Sequence, residues 1–260
     1  MKTAATMFKN GALKTVENPT TFVFGRDLLF DPASMDYGKS FGPHAEKLAP
    51  TAFRYGLHMS VDPTLEKSTV QGRLVLPRVH EGNPIRSTPE IEWDWRRSHL
   101  HLDAPSASAY TGFQAQYGGP VTFQASQLSL SDVVINNPPN APYPVTEQEK
   151  FISFGAVARD GKALPQSRSI EISLVSTSFN TGANYKPESV LKGKPLEGAS
   201  SGQAPVLVSR VGATLQAPYL PGMNYRFLDW HFREIAQGKV GPDGLKIPAD
   251  QPVFLIELKR

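Results

Sequence analysis

Glu90–Phe113, EIEWDWRRSHLHLDAPSASAYTGF, is the stretch whose reading decides the fold. Ile91, Trp93 and Trp95 alternate with Glu90, Glu92 and Asp94, the period of a half-buried strand. Arg96-Arg97-Ser98 supply a turn, and Leu100 and Leu102 then alternate with His99, His101 and Asp103. Pro105 breaks this second strand, and Ala109–Phe113 resumes an apolar run. The sequence therefore predicts two strands and the start of a third. Their apolar faces need a second sheet to cover them, with Trp93 and Trp95 in the core.

Segments of the same kind lie on both sides. Upstream, Thr21–Phe30 (interrupted at Gly25), Phe53–Val61 and Thr69–Pro77 read as strands, and His44–Phe53 as a short helix. Downstream, Val121–Asn136 reads as one or two strands. Phe151–Asp160 and Ser169–Ser176 read as an antiparallel pair turned near Asp160-Gly161. Val206–Val211, Ala213–Ala217, Tyr225–Phe232 and Val253–Lys259 follow, with Phe179–Gly202 as an exposed loop and His231–Gln237 as the other short helical stretch. Pro 23 and Gly 21 in 260 residues suit many short strands joined by tight turns. The predicted class is all-β, an antiparallel β-sandwich with long loops and at most short helices. Residues 1–52 read as a partly extended N-terminal segment and 53–260 as one sandwich module. The turn-rich Asn136–Pro144 marks a sub-boundary.

Charge and composition narrow the function classes. Lys+Arg 27 against Asp+Glu 24 gives +3, and no basic cluster is interleaved with aromatics, so nucleic acid is not expected as a partner. With Cys 0, disulfides, thiolate metal sites and a cysteine nucleophile are excluded. The first 19 residues lack the apolar core and cleavage site of a signal peptide, and no apolar run approaches the ~20 residues of a membrane span. No phosphate-binding, dinucleotide-binding or nucleophile-elbow motif occurs, so no cofactor is expected.

Three sets of residues carry candidate chemistry. Glu90, Glu92 and Asp94 share a strand face at ~6.5–7 Å steps, which overlaps the carboxylate spacing of inverting glycosidases. An acidic solvent face gives the same pattern. His99, His101 and Asp103 share the next face and could chelate a metal, although a solvated face reads identically. The third set is aromatic. Sugar rings stack their C–H faces on Trp and Tyr, and polar neighbours bind their hydroxyls. Tyr219 and Trp230, then Tyr225 and Tyr117, are the expected carbohydrate contacts, with Asp229 and His231 as hydrogen-bonding neighbours. Alternation places Tyr225 and Trp230 on opposite strand faces unless the strand ends between them.

Several of these stretches resemble a region of bacterial glycoside hydrolases. Ile91–Pro105 with Thr111–Phe113 resembles a segment in which a Trp-Asp strand leads into a Val-Asp-Thr-Pro strand and then an apolar strand ending in Gly-Phe. Ala156–Gly182 is similar to a second segment of those proteins, with its Asp-Gly turn, long strand and closing Asn-Thr-Gly. Ala204–Val208, Ala217–Gly222 and the final Ile-Glu-Leu-Lys-Arg also fit. The resemblance spans roughly Phe53 to Arg260. It implies a β-rich region that follows a catalytic barrel. The chain itself is too short for a barrel of ~250 residues plus this region and lacks strand–helix alternation.

The resemblance implies a glycosidase-associated module and leaves its catalysis open. With no barrel and no catalytic motif in the sequence, the leading expectation is a non-catalytic accessory module of a polysaccharide-degrading enzyme. Its partners would be a polysaccharide or oligosaccharide and a catalytic barrel domain. The setting would be secreted or periplasmic, within a larger enzyme. Two alternatives stand beside it. One is a small β-fold hydrolase or lyase using carboxylates and histidines from Glu90–Asp103. The other is a structural or assembly domain.

Overall fold

The computed structural model describes residues 2–12, 16, 18–29, 51–74, 85–86, 90–94, 99–113, 123–138, 151–183 and 202–260. The chain forms two compact units, one of residues 14–96 and one of residues 1–13 with 97–260. Among the described residues no helix is long and apolar enough to cross a membrane.

The first element is a helix, α1 (Lys2–Lys9), in a stretch that gives little sequence pattern. It belongs to the larger unit and is described with it. The smaller unit opens with β1 (Thr20–Phe24) and α2 (Arg26–Leu29). Thr21–Phe30 is thus a strand only as far as Phe24. The backbone of Lys67 and Ser68 runs so close to Gly25 that an added Cβ would lie 2.7 Å from Lys67 C. Asp27 then accepts bonds from Leu28 N, Ser68 N and Ser68 Oγ, which closes the chain into a helical turn. Residues 51–55 are also helical, so the strand expected from Phe53 begins later, as β2 (Leu57–Val61). It pairs parallel to β1, and β3 (Thr69–Gln71) pairs antiparallel on the other side. β4 (Ile85–Arg86) and β5 (Ile91–Asp94) make an antiparallel pair. All four residues of β5 are half-buried, and the Trp93 ring lies 5.5 Å from that of Phe53. Trp93 is therefore partly covered rather than a core residue, and Trp95 lies outside the described residues.

The larger unit is the sandwich. It contains β6 (His99–Ala104), β7 (Ala107–Phe113), β8 (Phe123–Gln124), β9 (Ser129–Asn136), β10 (Phe151–Ala158) and β11 (Ser169–Val175). It continues with β12 (Ser178–Thr181), β13 (Gln203–Val208), β14 (Arg210–Gln216), β15 (Asn224–Leu228), β16 (Glu234–Lys239), β17 (Leu245–Ile247) and β18 (Leu255–Lys259). One antiparallel sheet runs β16-β15-β18-β11-β10-β7-β6, and a second runs β17-β14-β9-β8. β12 and β13 form a separate ribbon. The predicted pair of Phe151–Asp160 and Ser169–Ser176 is present as β10 and β11. His231–Gln237 is no helix. It is a turn followed by strand β16.

The core lies between the two sheets. Tyr110, Phe154, Ile172, Leu174, Phe227 and Ile256 meet Phe123, Leu130, Val211, Leu215, Leu245 and Ile247. Cross-strand register explains the selection. Tyr110 stands opposite Phe154 and Phe154 opposite Leu174, while two residues along β11 Ile172 stands opposite Ile256 and Ile256 opposite Phe227, so two adjoining rows of apolar side chains line this face.

The opposite face of this sheet is covered too. Thr3 and Met7 of α1, one helical turn apart, are buried on it. Gly155 makes room, since a Cβ there would lie 3.3 Å from Met7 Cε. Glu171 on this face has no exposed side-chain area. Lys2 Nζ lies 3.2 Å from its Oε2, and Thr3 Oγ1 donates to its Oε1. Asn10 Nδ2 donates to the carbonyl of Ala158 and fastens the other end of the helix.

Candidate functional site

Past the end of β15 the chain makes a knot of five residues. Asp229 Oδ1 accepts from the backbone N–H groups of His231 and Arg233, while Arg233 Nε donates to Oδ2 at 2.9 Å. Phe232 N donates to Asp229 O, and Asp229 N to Arg233 O. Arg233 and these backbone donors hold the Asp229 carboxyl below the usual carboxylate range. The Asp229 side chain is thereby turned inward, and the next three side chains are turned out.

Trp230 is 47% exposed and Phe232 51%. The Trp230 ring stacks on Phe254, with centroids 4.8 Å apart and planes 28° from parallel. Phe232 meets the same ring edge-on at 6.5 Å. Phe254 is fixed by its N–H bond to the carbonyl of Leu228.

Trp230 and Phe254 form one wall of a groove of about 400 Å³ at the end of the sandwich where β9 and β11 finish and β14 begins. Val206, Leu207 and Val208 add apolar lining, while Asn137, Ser209 and Arg210 supply polar groups. Ser209 Oγ donates to Asn137 Oδ1 at 2.6 Å, and Arg210 NH1 donates to the carbonyl of Asp250. A groove with aromatic and aliphatic walls and a few fixed polar groups can hold a small amphipathic ligand of one or two rings.

The residues singled out in the sequence fall as follows. Trp230 lines the groove, and His231 is an exposed turn residue beside it. Asp229 does not offer its carboxylate to a ligand, because both oxygens are taken by the turn. Tyr219 is not an exposed turn ring. It is half-buried against the sandwich core, and burial pushes its hydroxyl well above the ordinary tyrosine value. Tyr225 packs 4.7 Å from Phe227, faces the core, and lines a different cavity with Ala236 and Ile247. The strand does end between Tyr225 and Trp230, yet the two rings serve separate cavities. Tyr117 lies outside the described residues.

The polar candidates are placed differently from a shared reactive face. Glu90 sits in the turn before β5, and Glu92 and Asp94 are half-buried on it. His99 and His101 lie on the sandwich side of β6, not on an outer face. Their rings stand 5.1 and 5.0 Å from Tyr110, and His101 lies 5.6 Å from Phe123. Leu102 is buried on the reverse side of β6. Asp103 accepts from Ser126 N and Ser126 Oγ and ties β6 to the loop before β9. Among the described residues no group of three or more His, Asp or Glu could hold a metal ion.

Phe254, Phe232, Asn137 and Arg210 escaped sequence reasoning. A signal existed for the turn: an Asp four residues before an Arg, with aromatics between, can close on itself. Nothing local announces Arg210 or Asn137, which meet the groove only through the pairing of β9 with β14.

No protein-family model matches the chain, and neither a curated protein nor a solved structure matches it.

Proposed function

We propose that the chain is a non-catalytic accessory module of a polysaccharide-degrading glycoside hydrolase, and that it binds glycan in the groove beside Trp230. The half-exposed Trp230 ring, held flat against Phe254 at the groove wall, is the observation that carries this reading. A large indole kept half in water has lost its hydrophobic burial, and stacking a sugar's C–H face on it recovers that area. Both the stack and the Asp229 knot fix the ring before ligand arrives, so little side-chain entropy is lost on binding. The sandwich, the groove and the resemblance of Ile91–Pro105 and Ala156–Gly182 to glycoside-hydrolase segments support the same reading.

Affinity electrophoresis of the protein in gels containing plant and algal polysaccharides tests it. Retardation by at least one glycan is expected, abolished in Trp230→Ala and weakened in Trp230→Phe. Retardation that persists unchanged in Trp230→Ala removes this site. Release of reducing ends by the purified chain would show that it is itself an enzyme.

A further inference from the structure

We propose that the groove is selective for anionic glycans bearing uronate carboxylates, and that Arg210 is the residue that reads the carboxylate. This rests on the glycan-binding reading above and adds the substrate class. Among the described residues that line the groove, Arg210 is the one that is charged, and none is Asp or Glu. Several other described cations of the larger unit are paired with carboxylates. Arg233 pairs with Asp229 at 2.7 Å, Lys2 with Glu171 at 3.2 Å, and Arg226 with Glu234 at 2.7 Å and Glu257 at 3.2 Å. Arg210 instead donates through NH1 to a backbone carbonyl, that of Asp250, and no described carboxylate pairs with it.

That bond anchors the guanidinium without cancelling its charge. The edge formed by Nε and NH2 stays available, and it matches two carboxylate oxygens in a planar fork. The remaining polar groups agree. Asn137 Oδ1 is occupied by Ser209 Oγ, which leaves the amide nitrogen to donate. Asn136 donates to the carbonyl of Ala249 and keeps one acceptor. Ser209 Oγ keeps its lone pairs to accept, and the Arg210 guanidinium gives the lining its excess of donors. A neutral sugar hydroxyl needs both, whereas a uronate supplies acceptors. The resulting arrangement is an apolar wall for the ring face and a fixed cation for the substituent.

The test measures binding of the protein to polygalacturonate and to alginate, each against its own methyl ester, which keeps the backbone and removes the charge. Dextran sulfate serves as a polyanion without uronates. At least one acid form should bind ~10-fold or more tighter than its ester. Arg210→Gln should abolish the difference between acid and ester, and Arg210→Lys should restore only part of it. Trp230→Ala should weaken acid and ester alike. Equal binding of acid and ester, or a preference that survives in Arg210→Gln, overturns the proposal and leaves glycan binding standing. Dextran sulfate binding as tightly as the uronates also overturns it, as general polyanion attraction. Silence toward every glycan, neutral ones included, overturns both readings.

Discussion

The turn at Ala217–Gly222 and the turn at Asp229–Arg233 each carry an aromatic among residues that fix the backbone, and they treat it in opposite ways. In the first, the peptide of Leu220 bonds back to Ala217, and the Leu220 and Met223 side chains are buried to 1% and 2% exposure. Tyr219 is drawn down with them onto the core. In the second, the buried side chain is Asp229, which consumes the local N–H groups and leaves Trp230 outside. Flanking prolines restrict φ but do not choose the side of the turn on which a ring falls. The neighbour that plugs into the fold makes that choice.

Leu220→Ala should cost ~2–5 kcal/mol, read as a lowered denaturant midpoint, because a fully buried leucine leaves a cavity. Tyr219→Ala should cost ~1–3 kcal/mol with no loss of glycan retardation, as befits a half-buried packing residue. Retardation lost in Tyr219→Ala would return that ring to the binding surface.

Asp229→Asn should lower the melting temperature by less than these, and its effect should depend on pH. Arg233 and the turn amides hold this carboxyl low in the folded chain. A carboxyl held low stabilises fully above its unfolded value, near 3.8, and loses that contribution as pH falls through the folded value. The gap between native protein and Asp229→Asn should therefore stay constant from pH 7 to about 4 and close below it. A gap that widens in acid would contradict the assignment of Asp229 as the charged partner of Arg233. Trp230→Ala should have the smallest effect on stability, ~1 kcal/mol or less, since the ring is half in solvent. If it unfolds the protein as Leu220→Ala does, Trp230 belongs to the core and the contrast between the turns disappears.

The class of fold was legible because alternation and turn residues act locally. Phe151–Ala158 and Ser169–Val175 read as a pair from period and from Asp160-Gly161 alone. The same alternation misplaced the faces of β6. It assumes that one side of a strand meets water, yet Leu102 is buried on the reverse side while His101 packs on Tyr110 and Phe123. The aromatic half of the groove was readable at Trp230, whose exposure follows from a turn within five residues. Arg210 and Asn137 were not, because β9 and β14 lie far apart in the chain and only their pairing brings these residues to one end of the sandwich. α1 was invisible for a related reason. Its eight residues are amphipathic, with Thr3 and Met7 on one face, but the stripe is only two turns long and reads as polar chain.

That helix has a consequence for how the molecule assembles. Thr3 and Glu171 are 168 positions apart and meet through one hydrogen bond. Eight residues are too few to hold a helix in water unaided. Its dock, formed by Gly155 on β10 and by Glu171 on β11, exists only once those two strands are joined. A segment that precedes these strands in the chain thus docks only after they have paired. Closing so long a loop carries an entropic cost that comes due only after the sheet is built. Until then Glu171 stands on a bare sheet face and is hydrated. The arrival of Lys2 and Thr3 removes that water and marks the sheet as finished.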